Sequence, residues 1–276
     1  MKFGICNEMY SKCSIFEVIE HAAKLGYHGV ELAPFTLTED VASFPVQEQR
    51  RIAGYAHDTG IAIAGMHWLF VTPKRLHLTS ADKSVRQRTL DFFRKLMEIG
   101  VNTGGRILTL GSPGQRSYSK GETEAEAFKR TVDFFAELAP ELESLELLVC
   151  LEPLEDDVTN FITSTSSAKR IVQDVASPCL GITLDTHFLR WEGEKHSISV
   201  ADAFRIAGSS LGHLHIQDDN SRAPGTGNAD FTEFIAAVKE IGWQGYISME
   251  TFAGEEAGEG EKMAAEGISF LKEHFS

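Results

Sequence analysis

An alternation repeated from end to end constrains this chain more than any other feature: a short apolar run, a polar loop, then an amphipathic helical stretch. Apolar runs predict strands at Lys2–Cys6, His28–Ala33, Ile61–His67, Arg106–Leu110, Leu147–Glu152, Leu180–Asp185, Leu211–Ile216 and Tyr246–Glu250. Helical spacing is clearest from Ser14 to Leu25, where Ile15, Val18, Ile19, Ala22 and Leu25 share a face before Gly26 supplies a stop. Asp82–Ile99 repeats the pattern, with Phe92, Phe93 and Met97 read as core, as is Phe134 further on. Further helices fall near Glu122–Glu143, Ser167–Val175, Val200–Ala207, Phe231–Ile241 and Glu259–Phe275.

Strands alternating with helices are the mark of parallel βαβ units. Eight strands in 276 residues fit a single-domain (β/α)8 TIM barrel, whose usual size is about 250 residues. An open doubly wound sheet is the alternative, but FGICNEMY after the first strand lacks its glycine-rich phosphate turn. No linker or low-complexity tract divides residues 1–276, and Gly254, Gly258 and Gly260 among glutamates suggest a mobile loop before the last helix.

Forty acidic against 26 basic residues give a formal charge of −14, a field that disfavours nucleic acid as a partner. No stretch approaches the roughly 20 apolar residues of a membrane span. The start reads as a strand rather than a secretory signal, so a cytoplasmic location is expected. Cys6, Cys13, Cys150 and Cys179 form no CxxC pair and read as reduced and structural.

Barrels of this kind gather their chemistry at the carboxyl ends of the strands. Glu152, Asp185, His215 and Glu250 hold that position on four consecutive strands. Singly, each acid reads as a helix cap or solvated loop residue, and a lone His as a packed one. Together, three carboxylates and an imidazole suit one divalent metal ion such as Mn²⁺, Co²⁺ or Mg²⁺, with Zn²⁺ a further option. His213 competes with His215 on the same strand face, and His215 is preferred because it lies nearer the carboxyl end.

At these residues the chain resembles the xylose-isomerase-like barrel superfamily, specifically the sugar phosphate isomerase/epimerase group that includes the ketose 3-epimerases. The matching segments are LEP at 151–153, LDT at 184–186, GHLHIQDDNSRAPGTG at 212–227 and SMET at 248–251, with ICNEMY, GYHGVELAPF and GMHWLF earlier. The resemblance implies that Glu152, Asp185, His215 and Glu250 bind the metal and that Glu152 and Glu250 also move the proton. It further implies an isomerase in carbohydrate metabolism, acting on a sugar through a metal-stabilised enediolate, in a chain that forms a homodimer or homotetramer. Two positions depart from that pattern: an expected substrate-binding His is Phe188, with His187 beside it, and an expected Arg is Ser221, followed by Arg222. Either the loops shift register or the substrate is read differently.

A carboxylate on each face of the substrate carbon would invert it, whereas one base on one face would give aldose–ketose isomerisation. Dehydration on the same site is another alternative, as is a non-catalytic sugar-binding barrel. A metal-dependent hydrolase like the apurinic endonucleases is less favoured, because no His follows Asp218 and Asp219 before Gly227. Further substrate-binding candidates are Glu8, His67, Trp68, His187 and Arg222. Glu8 and Glu31, at the ends of the first two strands, could orient neighbours or touch sugar hydroxyls; Trp68 and Phe70 could wall a pocket or pack the barrel top. His77 and Arg116 read as surface loop residues.

Overall fold

The computed structural model describes residues 1–10, 12–252, 256 and 258–275. Its strands are β1 (Lys2–Cys6), β2 (Gly29–Leu32), β3 (Ala62–Met66), β4 (Ile107–Leu110), β5 (Leu148–Leu151), β6 (Leu180–Asp185), β7 (Leu211–Ile216) and β8 (Tyr246–Met249). They close in sequence order into one barrel, β8 pairing back onto β1, and every pairing is parallel. The expected (β/α)8 architecture is therefore present.

Around the barrel lie α1 (Ile15–Leu25), α2 (Val46–Thr59), α3 (Lys83–Thr103), α4 (Glu124–Ser144), α5 (Thr165–Val175), α6 (Thr186–His196), α7 (Val200–Ala207), α8 (Thr232–Glu240) and α9 (Glu259–Phe275). Local chemistry sets their ends. Ser14 and Glu17 form a reciprocal capping box at the start of α1, and Gly26 ends that helix at φ 90°. Thr123 and Glu126 repeat the box at α4. Gly258 lies just before α9 and Gly260 inside it, while Gly254 falls outside the described residues.

Two helices were not located from the sequence, for different reasons. The inward face of α2 buries Gln49 with only Ile52 and Ala56, so it carries little apolar periodicity. Helix α6 starts directly where β6 ends, without an intervening loop.

Apolar packing concentrates between strands and helices, as in the edge-on contacts of Phe93 with Phe70, Phe134 and Phe135. Phe70 thus belongs to the core. Within the barrel, by contrast, Glu31, His67, Thr109, Thr183, His213 and His215 are all buried. Buried polar groups need partners, and these converge toward the carboxyl ends of the strands.

An extra residue disturbs the pairing of β6 with β7, where Ile182 faces Leu211 but Thr183 faces His213. The bulged residue is Gly212, whose missing Cβ would stand 2.6 Å from the Cys150 sulfur. Bulges of this sort re-aim the side chains that follow, here His213 and His215.

Candidate functional site

Glu152 and Glu250 each stand one residue beyond their strand, and their backbone N–H groups extend the ladder to Leu110 and Ile216. Both carboxylates are nearly buried and converge on His215. One ligating atom from each of Glu152, His215 and Glu250 lies within 4.8 Å of the other two. His215 Nδ1 is 2.6 Å from Glu250 Oε2 and 3.4 Å from Glu152 Oε1, yet it makes no well-directed hydrogen bond to either. The imidazole nitrogen and the two carboxylates thus face one another across a short gap. The donor set fits a divalent cation.

Asp185 lies on the same pocket wall but outside that tight group. One of its oxygens caps α6, accepting from the N–H groups of His187 at 2.7 Å and Phe188 at 3.2 Å. Its other oxygen accepts from Gln217 Nε2 at 3.3 Å. The capping role and the ligand role are thus both open to one side chain, through different oxygens.

Behind these groups stands a second tier, in which Glu31 and Glu8 take the orienting place that was one of their two readings from sequence. Glu31, fully buried at the end of β2, bridges His213 Nε2 and His215 Nε2 at 2.8 Å each and accepts from the Cys6 thiol at 3.1 Å. Holding Nε2 leaves Nδ1 of His215 as the electron-pair donor facing the carboxylates. His67 lies between Glu8 Oε2 at 2.9 Å and Glu250 Oε1 at 3.1 Å. Glu8 and His67 therefore buttress Glu250, and neither lines the pocket. Cys6, with Glu8 and His67 or with Glu31 and His215, also forms compact groups. Burial raises its thiol pKa well above normal, so it stays a proton donor there.

Without a cation, the electrostatics separate the two glutamates. Burial and the nearby Glu250 push Glu152 up to about 7. Glu250 is buried too, but His215 and His67 outweigh that cost and hold it well below the usual carboxylate range. Burial would lower both histidines, yet Glu250 and Glu31 raise His215, and Glu8 and Glu250 raise His67 to about 10. Such a divergence gives one carboxyl that can hold a proton beside one that stays ionised.

Two buried features keep Glu152 in place. A Cβ at Gly111 would fall 1.8 Å from Glu152 Oε2, so glycine at the end of β4 leaves the carboxylate its space. Arg116, read from the sequence as a surface residue, is instead among the largest fully buried side chains. Its guanidinium donates to the Glu152 carbonyl at 2.6 Å and, more distantly, to the carbonyls of Leu110 and Ile162.

Above the carboxylates opens a cavity of about 240 Å³, walled by Trp68, Phe188, His187, Gln217, Ser221 and others besides Glu152, Asp185 and Glu250. Trp68 takes the left-handed backbone region at φ 53° and meets Phe252 edge-on at 6.1 Å. His187 reaches the pocket and faces Glu155 at 3.4 Å. Arg222 does not line it, because its guanidinium is paired with Glu259; Ser221 lines it instead. The loop bearing Arg222 is tied together by Asp218, which accepts from the N–H groups of Asp219, Gly225 and Ala229. Sequence reasoning missed Gln217 and Glu155; Gln217, two residues past His215, shares its strand face.

The family model described as xylose isomerase-like TIM barrel matches residues 19–274. The chain belongs to that family. Among curated relatives, D-psicose 3-epimerase of Agrobacterium fabrum is 28% identical over 239 residues, covering 85% of this chain and 78% of that protein. The 3-dehydro-D-guloside 4-epimerase of Escherichia coli is 20% identical, covering 91% and 92%. These relatives are isomerases of the epimerase class. A crystal structure of D-psicose 3-epimerase in the presence of D-fructose superposes with a TM-score of 0.85 at 23% identity over 99% of both chains. The Escherichia coli 3-keto-D-glucoside 4-epimerase structure gives 0.82 at 18% identity over 99% of both. At these identities the superpositions speak to the fold. Among the described residues, no helix is long and apolar enough to cross a membrane.

Proposed function

We propose that this protein is a divalent-metal-dependent epimerase of a keto-sugar. The observation that carries the reading is the convergence of Glu152, His215 and Glu250 on one buried point at the barrel mouth, in a chain whose curated relatives include sugar epimerases. Glu152, His215 and Glu250 would hold the ion, with Asp185, which lines the same cavity, as a fourth donor. A bound divalent cation supplies stabilisation of the negative charge that grows on a carbonyl oxygen when the adjacent C–H is deprotonated, an effect of several kcal/mol.

The chain's own groups do the rest. Glu250, kept ionised by His215 and His67, is suited to take the proton from the carbon beside the carbonyl. Glu152, on the same cavity, is suited to return one to the other face, and the reverse reaction exchanges the roles. Each positioned acid or base contributes about 10²–10⁴ in rate. The polar tier of Glu31, Glu8 and His67 fixes the orientation of these groups before substrate arrives.

The test is proton exchange in D₂O with added Mn²⁺. Deuterium should enter the carbon that is inverted, and Glu250→Gln should abolish both exchange and epimer formation while the circular dichroism spectrum is retained. Undiminished exchange in that variant would sink the assignment. Product analysis separates the alternatives, since isomerisation moves the carbonyl and dehydration loses water.

A further inference from the structure

The pocket above the carboxylates is lined mainly by apolar surface. Trp68, Pro113, Leu154, Val158, Phe188 and Phe252 all contribute, and Val158 and Phe252 remain 49% and 46% exposed at its rim. An unsubstituted ketose carries a hydroxyl on nearly every carbon. Its hydroxyls find partners toward Glu155, His187, Gln217 and Ser221, but any that lay against the Trp68, Val158 and Phe252 side would lose water without gaining a partner, at a cost comparable with a lost hydrogen bond. The two positions where the family resemblance led us to expect a polar sugar contact, Phe188 and Ser221, are both on this lining. Phe188 is also packed against Trp191, with ring centroids 5.7 Å apart, so it does not swing aside to admit a polar group.

Trp68 adds an independent observation. A bulky residue at φ 53° is a genuine outlier, and such strain concentrates where a side chain must be aimed. Here it sets the indole edge-on to Phe252, an arrangement that a further aromatic ring can extend. The indole N–H is shielded from solvent and has no acceptor in the protein.

We infer that the substrate is a keto-sugar bearing an aromatic aglycone. Its ring system would rest against Trp68, Val158 and Phe252 while the oxidised sugar reaches Glu152 and Glu250. This inference rests on the epimerase reading for the sugar end of the pocket, and on the apolar rim alone for the aglycone. The chemistry balances without a co-reactant: one C–H proton passes to a carboxylate, one returns to the opposite face, and the glycosidic bond is untouched. The supplying reaction must oxidise a ring hydroxyl of a glycoside to the ketone, and the consuming reaction must reduce or cleave the epimer.

The experiment compares three probes on the full chain loaded with Mn²⁺: phenyl and methyl glucosides oxidised to the ketone at carbon 3, and D-fructose. Binding is read by calorimetry and turnover by deuterium exchange. Burying even half a phenyl ring corresponds to about tenfold in affinity, so the phenyl compound should bind at least about tenfold tighter than the methyl one. Val158→Asn and Phe252→Ser, both at exposed positions, should shrink that ratio toward one. Equal affinities, tightest binding of D-fructose, or no binding of any probe overturns the inference. Exchange in all three without a phenyl preference removes the aglycone and leaves the epimerase standing. Tight phenyl binding without exchange does the reverse.

Discussion

Replacing Glu152 by Gln should stabilise the metal-free protein at pH 8, although it removes a group proposed to bind the ion and move the proton. The carboxyl is nearly buried and held at about 7, against 4.5 for an exposed glutamate. The folded state therefore binds the proton more tightly than the unfolded chain, and stability falls as pH rises from 4.5 to 7. Above that window the full penalty applies. At about 1.4 kcal/mol per pKa unit it amounts to about 3 kcal/mol as an upper bound, or about half that once water and local relaxation are admitted. Glutamine keeps the shape and removes the charge. For a chain of this length each kcal/mol moves the melting temperature by about 2 °C, so E152Q should melt about 3–6 °C above wild type after chelator dialysis at pH 8, with little difference at pH 4.5. Adding Mn²⁺ should reverse the order, because only the wild type gains the full binding free energy. Melting curves at the two pH values, with and without Mn²⁺, give all four comparisons. A variant that melts at or below wild type in chelator at pH 8 would show that the carboxylate bears no such penalty, and the electrostatic account of the site would fail.

Glu31→Gln should weaken Mn²⁺ binding about 10–100-fold in calorimetry, since it loosens the hold on His215 without touching the ion; a change below threefold would refute the positioning role. Arg116→Ala leaves the Glu152 carbonyl without its 2.6 Å donor and opens a cavity, and should cost about 3 kcal/mol or more in urea unfolding. A loss under 1 kcal/mol would mean that water replaces the guanidinium at no penalty.

Much of this site was legible because strand ends are marked by composition. Glu152, Asp185, His215 and Glu250 follow apolar runs, and in a parallel barrel such positions face one mouth whatever the rest of the chain does. The structure brings three of them to one point and sets Asp185 beside them as a helix cap. What stayed hidden depends on reach across the barrel. Glu31 looks from sequence like any acid ending a strand, and only closure of the barrel shows it between His213 and His215. His67 was read as a sugar contact and Glu8 as a sugar contact or an orienting residue, and both sit behind Glu250. Arg116 carries no sequence sign of burial, because its partners are backbone carbonyls. Arg222 lay one residue too far along a loop whose path is dictated by Asp218.

The division of labour between strands also bears on how such a molecule can be taken apart. Every proposed ion-holding group comes from β5 onward, while the groups that steady two of them, Glu31 and His67 with Glu8, come from β1 to β3. A fragment cut between β4 and β5 would carry the complete donor set and still hold His215 and Glu250 without their backing. The two halves of this barrel are thus interlocked by chemistry as well as by hydrogen-bonded edges, and an exchange of halves with another barrel would have to carry the backing across along with the ligands.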